Sequence, residues 1–454
     1  MNAHIQKFLS WVLHIDDRAL IAVLFSLFFI KSRFTIDPDF GWHISSGEYM
    51  LTHGAPQTDI YTYTAVNFPW IHHEWLADII NYLVYHVGGY TLLAAVYALM
   101  WTAAFYLVAR PYSAKLYVLL AALVALPYAG VRAVTWTMLI LTLLVIVLRQ
   151  VQPKRWLWAL PVMLLWANVH GSFVVGLLYI CFHAIRHRSW YTAGLLMVSL
   201  LLTLCNPYGI DVYTEVLRTV SDSSLHTRIG EWKSFQLEVG LGMVVGAWAA
   251  ARLLADWRKP WRAVPHPDAV VLLLALSASR HIPVFALASL PVILKGVQRM
   301  PSMTNLLADA RIASMGLAVV VLATLTLGYD GLRTIRLDPE AAYPRQMARA
   351  LRQHACKGNL FNDYNDGGYL IWRAPTHKVF IDGRMPSWRM GDTDYFAIYE
   401  RILEDKDYQK RQFDYYNVTC VLAGEKGELA RHLRTEGWHD YSSADGYVLL
   451  ERDR

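Results

Sequence analysis

The chain has 454 residues, of which 55% are hydrophobic and only 17% are charged. An average soluble domain carries roughly 25% charged residues, so this composition excludes an ordinary water-soluble protein with one hydrophobic core. The net charge of +6 is modest and lies mainly in short loops, which favours membrane topology over nucleic-acid binding.

Apolar runs recur through the first 330 residues, near residues 19–34, 88–109, 115–130, 134–149, 156–170, 172–185, 189–205, 238–254, 268–280, 282–296 and 311–328. Several are shorter than the ~20 residues that a perpendicular span needs, so their boundaries are approximate. No small-residue cleavage site follows the first run, and we expect a retained span there rather than a signal peptide. The sequence predicts a polytopic α-helical membrane protein with about eleven transmembrane helices in residues 1–330.

Basic residues cluster on one side of the predicted alternation of loops. Clusters follow the second, fourth, sixth, eighth and tenth runs, at residues 110–115, 149–155, 186–188, 252–262 and 295–311. The positive-inside rule places these loops in the cytoplasm. The N-terminus is then cytoplasmic, and an odd number of spans places the C-terminal segment on the opposite side of the membrane.

The first outer loop, at about residues 35–85, begins with two carboxylates, Asp37 and Asp39, separated by a proline and followed by His43. Carboxylates two residues apart can converge on one cation, one sugar hydroxyl or one proton. Alternatively, Asp39 is the N-cap of a helix over Gly41–Met50. Both interpretations remain open from the sequence.

Further along this loop, His72, His73 and Glu74 precede an amphipathic helix predicted over Leu76–His86, which we expect to lie on the membrane surface. The three side chains could bind a metal or transfer a proton. Their spacing is not that of the HExxH zinc motif. The alternative is a helix start with polar residues in water.

Acids, histidines, an amide and single cations recur in the later outer loops. Ionisable residues at membrane depth are costly and usually face a cavity or a partner. We predict that these side chains line one pocket at the outer face, in which the three cations could hold a phosphate or pyrophosphate. Alternatively, each cation reaches the headgroups or pairs with a nearby acid. The residues are Arg132, Asn168, His170, Glu231, Lys233, Arg280 and His281.

Residues 331–454 have the composition of a soluble domain, with strands predicted near 358–364, 378–384, 418–423 and 446–451 and helices at 367–373 and 425–435. This alternation predicts a small α/β domain outside the cytoplasm. Polar residues at strand ends are where such domains bind ligands. The candidates are Asn362, Asp363, Asp382 and Arg384, with turn residues as the alternative interpretation.

Two of the four cysteines, Cys356 and Cys420, fall in this domain. They could form a disulfide if the domain lies in an oxidising compartment. Otherwise they are two buried free thiols.

The phrases DPDFGWH, PWIHHEWLAD, WANVHGSF, NPYG, RHIP and FNDYNDGGYLIW…VFIDGR resemble a group of bacterial membrane proteins with the layout of the GT-C superfamily of integral-membrane glycosyltransferases. The resemblance covers nearly the whole chain. It implies a bacterial inner-membrane protein with a periplasmic C-terminal domain. It also implies transfer of a sugar from a polyprenyl-phosphate donor to a glycan, lipid or protein acceptor at the outer face.

By this resemblance, Asp37 or Asp39 is the general base or a ligand of a divalent metal, Mg or Mn. Arg132, Lys233 and Arg280 would then neutralise the leaving phosphate. His72, His73 and His170 would shape the sugar pocket. The WWDYG-type motif of oligosaccharyltransferases is absent, which disfavours a peptide asparagine as acceptor.

Two other functions are compatible with the sequence. A transporter or lipid-carrier flippase would need polar residues near mid-membrane, whereas here they crowd one end of the predicted spans. A non-catalytic scaffold for envelope assembly would use the C-terminal domain to dock a partner.

Overall fold

The computed structural model describes residues 16–112, 116–233, 239–256, 267–299, 325–326, 328–329, 331–354 and 356–452. The last predicted span, at 311–328, lies almost entirely outside the described residues.

Helices dominate the described chain. In chain order the α-helices are Asp17–Arg33, Phe40–His53, Trp75–Ala109, Leu116–Ala125, Val134–Leu148, Ala159–Val169, Phe173–His187, Trp190–Leu202, Asp211–Ser221, Leu225–Arg228, Val239–Asp256, Pro267–Ser277, Ile282–Arg299, Arg345–Gln353, Gly367–Arg373, Tyr395–Glu404, Lys406–Tyr415 and Glu428–Thr435. Short 3-10 helices at Gly230–Trp232 and Ser279–His281 interrupt the loops of the helical region.

The chain divides into two compact units. The helical unit contains Met1–Thr35, Tyr90–Asn206 and Ile229–Ile335, and the mixed unit contains Ile36–Gly89, Pro207–Arg228 and Arg336–Arg454. The sequence suggested a boundary at residue 330, with the first outer loop assigned to the membrane module. In the structure that loop belongs to the same compact unit as the C-terminal segment.

One helix among the described residues, Trp75–Ala109, is long and apolar enough to cross a bilayer by length and composition. It is kinked at Gly88 and Gly89, whose backbone angles are not helical. The amphipathic segment and the apolar run predicted from the sequence lie on the two sides of this kink. Shorter apolar helices include Val134–Leu148 and Phe173–His187. The number of about eleven spans stays a prediction.

Apolar side chains lie on the outer surface of the helical unit. On the helix Trp190–Leu202, Met197 is 59% exposed and Leu201 57% exposed. Contiguous exposed apolar surface is unfavourable in water but suits a helix that faces lipid. The surface is therefore consistent with the membrane location expected from the composition.

The mixed unit is built around a four-stranded sheet in the order β1-β4-β6-β5, formed by β1 (Asn359–Phe361), β4 (Val418–Gly424), β5 (His439–Ala444) and β6 (Tyr447–Glu451). β1 and β4 are parallel, and the other neighbours are antiparallel. A separate ribbon contains β2 (Arg389–Met390) and β3 (Thr393–Asp394). The prediction of a small α/β arrangement in the C-terminal segment is confirmed.

The apolar segment at 378–384 differs from its prediction as a strand of this sheet. Val379 forms one parallel bridge to Thr62 of the first loop, and its N–H donates to the carbonyl oxygen of Tyr61 at 3.0 Å. The first loop thus supplies the partner that the segment needs for its backbone. Cys356 and Cys420 form a disulfide with a Cα–Cα distance of 5.9 Å.

Candidate functional site

The two first-loop acids lie at the start of the helix Phe40–His53. The Asp39 N–H donates to Asp37 Oδ1 at 3.0 Å, so the Asp37 carboxylate stabilises the turn that begins the helix. Asp39 occupies the N-cap position, but its side chain makes no capping bond. Instead its Oδ1 accepts a hydrogen bond from the indole Nε1 of Trp42 at 3.1 Å. Asp39 is thus an oriented carboxylate rather than a helix cap.

Gly383 lies directly against the Asp39 carboxylate. A Cβ atom at Gly383 would lie 1.7 Å from Asp39 Oδ1, a distance that no side chain can adopt. The glycine in the predicted turn Asp382-Gly383-Arg384 is therefore required by the position of Asp39. This contact joins the first loop and the C-terminal segment, two of the sequence motifs that carry the GT-C resemblance.

A buried carboxylate, Asp78, connects two histidines of the first loop. Its Oδ1 lies 2.7 Å from Nδ1 of His43, and its Oδ2 lies 2.8 Å from Nε2 of His72. Asp78 is 0% exposed and His72 is 2% exposed. Trp42 stacks on the His43 ring with a centroid distance of 3.6 Å, and Trp70 stacks on His72 at 4.7 Å.

His43 and His72 differ in charge, because their pKa values shift in opposite directions. Burial lowers the pKa of His43, but the charge and hydrogen bond of Asp78 outweigh it with help from Glu74 and Asp39, and the pKa rises to about 9. Burial dominates at His72 and lowers its pKa despite Asp78. His43 is therefore a cation near neutral pH. His72 is neutral and donates its Nε2 proton to the acceptor-only carboxylate.

Glu74 extends the cluster. It lies 3.7 Å from Nε2 of His43 and 3.6 Å from Nε2 of His73. Burial lowers the pKa of His73, but the Glu74 carboxylate outweighs burial and raises it. The structure thus brings three sequence candidates, Asp39, His72 and Glu74, close to a fourth, His43, with Asp78 joining the two histidines and His73 paired to Glu74.

Asp78 is the residue that the sequence analysis missed. It lies four positions after Glu74, at the start of the helix Trp75–Ala109. Acids four residues apart on a helix share a face and repel each other unless a cation lies between them. That spacing, next to three histidines in the same loop, is the signal that could have identified Asp78.

Arg384 and Asp382 form a buried ion pair and have a structural role rather than a ligand-binding one. Arg384 is 3% exposed at its side chain, lies 2.7 Å from Asp382 and 2.8 Å from Asp59, and its guanidinium contacts the rings of Tyr61, Trp70 and Trp388. Burial lowers the pKa of Arg384, but the two carboxylates outweigh it and raise the pKa further above its usual value. Such a buried pair anchors the first loop to the C-terminal segment.

Asn362 is also fully buried. Its side chain donates to the carbonyl oxygen of Ile381 and accepts from the N–H of Phe380, both at 2.8 Å. These contacts favour the turn-and-core interpretation for Asn362, Asp382 and Arg384. Asp363, by contrast, is exposed.

The later outer-loop candidates form a second group in the helical unit. Arg132 pairs with Glu231 at 2.5 Å, and Arg280 lies over the Trp232 ring at 4.7 Å. Burial raises the pKa of Glu231, but Arg132 and Arg280 outweigh it and lower the pKa, so both cations act on one carboxylate. Arg132 is thus in an ion pair, as one of the alternatives from the sequence allowed.

The remaining candidates of this group hold loops in place. The Lys233 carbonyl oxygen accepts from the Ser279 N–H at 3.2 Å, and the His281 ring contacts the Leu274 carbonyl oxygen at 3.0 Å. Asn168 donates to the carbonyl oxygens of Leu164 and Cys205. His170 contacts the hydroxyl groups of Thr137 and Ser172. The predicted pocket shared by both groups of residues stays a prediction.

A metal at Asp37 and Asp39 has incomplete support from the described side chains. Carboxylates suit Mg²⁺ and Mn²⁺, which need about six oxygen ligands. In the part of the chain that the structure describes, the one set of three mutually close metal-binding groups is Cys356, Cys420 and Glu451, and its two cysteines are in the disulfide. The two first-loop acids therefore form no preassembled cluster with a third such group.

Comparisons of the sequence with known proteins are negative. No protein-family model matches the chain. No curated protein sequence matches it.

Comparison of the structure identifies a fold. The archaeal oligosaccharyltransferase AglB from Archaeoglobus fulgidus, in complex with an inhibitory peptide and a dolichol-phosphate, matches with a TM-score of 0.61 and 11% identity over 96% of this chain and 74% of that chain. ArnT from Cupriavidus metallidurans in the apo state matches with a TM-score of 0.54 and 14% identity over 95% of this chain and 96% of that chain. ArnT from Cupriavidus metallidurans bound to undecaprenyl phosphate matches with a TM-score of 0.53 and 12% identity over 95% of this chain and 97% of that chain.

The chain therefore shares the fold of these structures, as the sequence resemblance implied. At identities of 11–14% the likeness establishes the fold alone.

Proposed function

We propose that the chain is a glycosyltransferase that moves a sugar from a polyprenyl-phosphate donor to an acceptor at the outer face of the membrane. The observation that carries this proposal is the oriented Asp39 carboxylate beside the His43–Asp78–His72 network, within a GT-C fold. The donor class is supported by the structural neighbours, one of which contains dolichol-phosphate and another undecaprenyl phosphate.

Asp39 is the general base of the proposed reaction. Its carboxylate takes the proton of an acceptor hydroxyl, the acceptor oxygen forms a bond to the anomeric carbon, and the bond from that carbon to the phosphate oxygen breaks. Trp42 orients the carboxylate through its indole N–H. The His43 cation and the Asp39 carboxylate attract each other, which helps to hold the carboxylate in place. Asp37 maintains the turn that presents Asp39.

Arg280, Arg132 and Lys233 are proposed to neutralise the leaving polyprenyl phosphate. The partial pairing of two of these cations with Glu231 means that a phosphate has to compete with that carboxylate. Guanidinium groups are well suited to this because they bind phosphate oxygens in pairs. A divalent ion at Asp37 and Asp39 would add positive charge there, and no step described above depends on it.

The decisive experiment compares Asp39→Asn with Asp37→Asn in the full chain, reconstituted with a panel of undecaprenyl-phosphate sugars radiolabelled in the sugar. We expect Asp39→Asn to lower transfer by at least about a hundredfold, the usual contribution of general base catalysis. Asp37→Asn should have a smaller effect, because an amide oxygen still accepts the Asp39 N–H. The exposed Asp392 provides a matched control as Asp392→Asn.

Full transfer by Asp39→Asn would contradict the assigned base. Movement of labelled lipid across the bilayer, without loss of label from the lipid, would instead favour a flippase.

A further inference from the structure

A cavity of about 400 Å³ lies in the mixed unit, next to residues that follow the parallel strands β1 and β4. This volume falls within the range of about 300–1,000 Å³ that is typical of small-ligand sites. The carboxyl ends of parallel strands are also where α/β sheets bind ligands. Its lining includes Pro38, Tyr343, Asp363, Asn365, Asp366 and Tyr447.

The polar part of the lining is held in fixed positions. The Asp363 carboxylate accepts one hydrogen bond from the Asn365 N–H and one from the Tyr399 hydroxyl, each at 3.0 Å. Asp366 is 5% exposed, and its carboxyl group interacts with the Tyr447 hydroxyl. The carboxyl groups of Asp363 and Asp366 offer acceptor oxygens to neighbouring sugar hydroxyls, and the exposed Asn365 side chain adds an amide beside them.

Three rings, those of Pro38, Tyr343 and Tyr447, form much of the remaining lining. Tyr343 stacks on Tyr369 with centroids 4.9 Å apart and donates its hydroxyl to the Ile36 carbonyl oxygen. Tyr447 donates to the Ala342 carbonyl oxygen at 3.2 Å, and the Pro38 ring adds an apolar surface. A sugar presents apolar C–H faces as well as hydroxyls, which matches this combination of flat rings and fixed polar groups.

The charge of the cavity favours a neutral ligand over a cation. Burial, together with the negative charge of Asp363, raises the pKa of Asp366 to about 7. Near neutral pH, Asp366 is therefore protonated in a large share of molecules and can donate a hydrogen bond. A site for a cationic ligand would need both Asp363 and Asp366 to be ionised.

We propose that this cavity is a subsite for a neutral carbohydrate and that it holds the sugar acceptor of the transfer reaction. The assignment as acceptor subsite rests on the proposed function. Pro38 lies between Asp37 and Asp39, so one wall of the cavity and the candidate base belong to the same three-residue segment. A sugar bound here would be held by residues continuous in sequence with the group that takes its proton.

The test measures binding to the full chain in nanodiscs, prepared without sugar-based detergent, by saturation-transfer difference NMR. The probes are cellobiose and N,N′-diacetylchitobiose. The variants are Asp366→Ala and Asn365→Ala, with the exposed Asp392→Ala as the matched control. We expect at least one disaccharide to bind the wild type, about tenfold weaker binding in both cavity variants, and unchanged binding in Asp392→Ala. Asp39→Asn should still bind the disaccharide.

No disaccharide signal in the wild type, or equal signals in the wild type and Asp366→Ala, would overturn the subsite. Displacement of the disaccharide by spermidine at lower concentration would overturn its neutral character. The two proposals fail separately. Asp366-dependent binding by a chain without transfer activity refutes the acceptor role and the proposed function but retains a carbohydrate site. Asp39-dependent transfer with unaltered binding in the cavity variants refutes the subsite alone.

Discussion

His43 interacts with more acidic groups than any other candidate in the first loop. Asp78, Glu74 and Asp39 all act on its ring, and Trp42 stacks against it. A buried cation of this kind is costly unless each of its polar groups is paired. The contacts satisfy that condition through Asp78 on Nδ1 and Glu74 near Nε2. The cluster therefore stabilises the mixed unit in a pH-dependent way.

The pH dependence has a definite sign. In the folded chain the pKa of His43 is about 9, against about 6.5 in an unfolded chain. Its stabilising contribution is complete below about pH 6.5 and is lost as pH rises towards 9. We expect the thermal midpoint of the wild type to fall between pH 6.5 and 9 more steeply than that of His43→Gln, measured by fluorescence unfolding in nanodiscs. The exposed His439→Gln should keep the wild-type slope. Equal slopes in all three proteins would contradict the assigned charge of His43.

For single residues, the sequence predicted which residue types matter better than it predicted which residues they contact. Asp39, His43, His72 and Glu74 were selected because acids and histidines rarely occur near a membrane without a role. Asp78 was missed because it looked like an ordinary residue of an amphipathic helix. Arg384 was predicted to bind a ligand, but its carboxylate and ring partners come from positions as distant as Asp59 and Trp388. No local pattern contains that pairing.

The site depends on the close packing of two helices. In the helix Phe40–His53, Gly47 faces the first turns of the helix Trp75–Ala109, where a Cβ atom would lie 2.1 Å from the Asp78 carbonyl oxygen and 2.8 Å from Cβ of Tyr82. Both obstacles are backbone or near-backbone atoms that cannot rotate away. The distance of 2.7 Å between His43 and Asp78 therefore requires glycine at position 47.

Gly47→Ala should separate the two helices. We expect a loss of about 1–3 kcal/mol of stability from overpacking and a large loss of transfer activity, because His43 moves away from Asp78. Gly194→Ala is the matched control, since a Cβ atom at Gly194, inside the helix Trp190–Leu202, would meet nothing within 4 Å. Unfolding midpoints and radiolabel transfer measure the two effects. A fully active, equally stable Gly47→Ala protein would show that the packing does not position the cluster.

Elements with strong local patterns were predictable. The helix at Gly367–Arg373 and the strand at Val418–Gly424 occur where the sequence placed them. The strand His439–Ala444 was missed because it is largely exposed and lacks an apolar run. The apolar segment at 378–384 was predicted to join the sheet, but its partner is Thr62, more than three hundred residues away in sequence. Propensity alone does not determine which backbone a strand pairs with.

For the whole molecule, the disulfide is the feature that reports on orientation. Stable disulfides form in oxidising compartments and are rare in the cytosol. The Cys356–Cys420 bond is therefore consistent with a C-terminal segment outside the cytoplasm, which the positive-inside rule predicts independently from the loops. Agreement between a redox argument and a charge argument is stronger than either alone, because the two have different physical origins.

The orientation can be tested with thiol reagents on the full chain in its native membrane. We expect two of the four cysteines to resist a maleimide polymer after denaturation without reductant, and all four to react once a reductant has been added. Cys181 and Cys205, which are free thiols, serve as internal references. In intact spheroplasts, a membrane-impermeant phosphine should be sufficient to open the bond. Replacing both bonded cysteines with serine should cost about 4 kcal/mol, since the bond closes a loop of 64 residues.

Four reactive thiols without reductant would mean that the segment lies in a reducing compartment. The first-loop acids belong to the same compact unit as the bonded cysteines, so they would then be cytoplasmic too. In that case transfer at the outer face would be impossible for this chain, whatever chemistry Asp39 performs. The thiol experiment therefore sets a condition that every assignment of the acceptor has to satisfy.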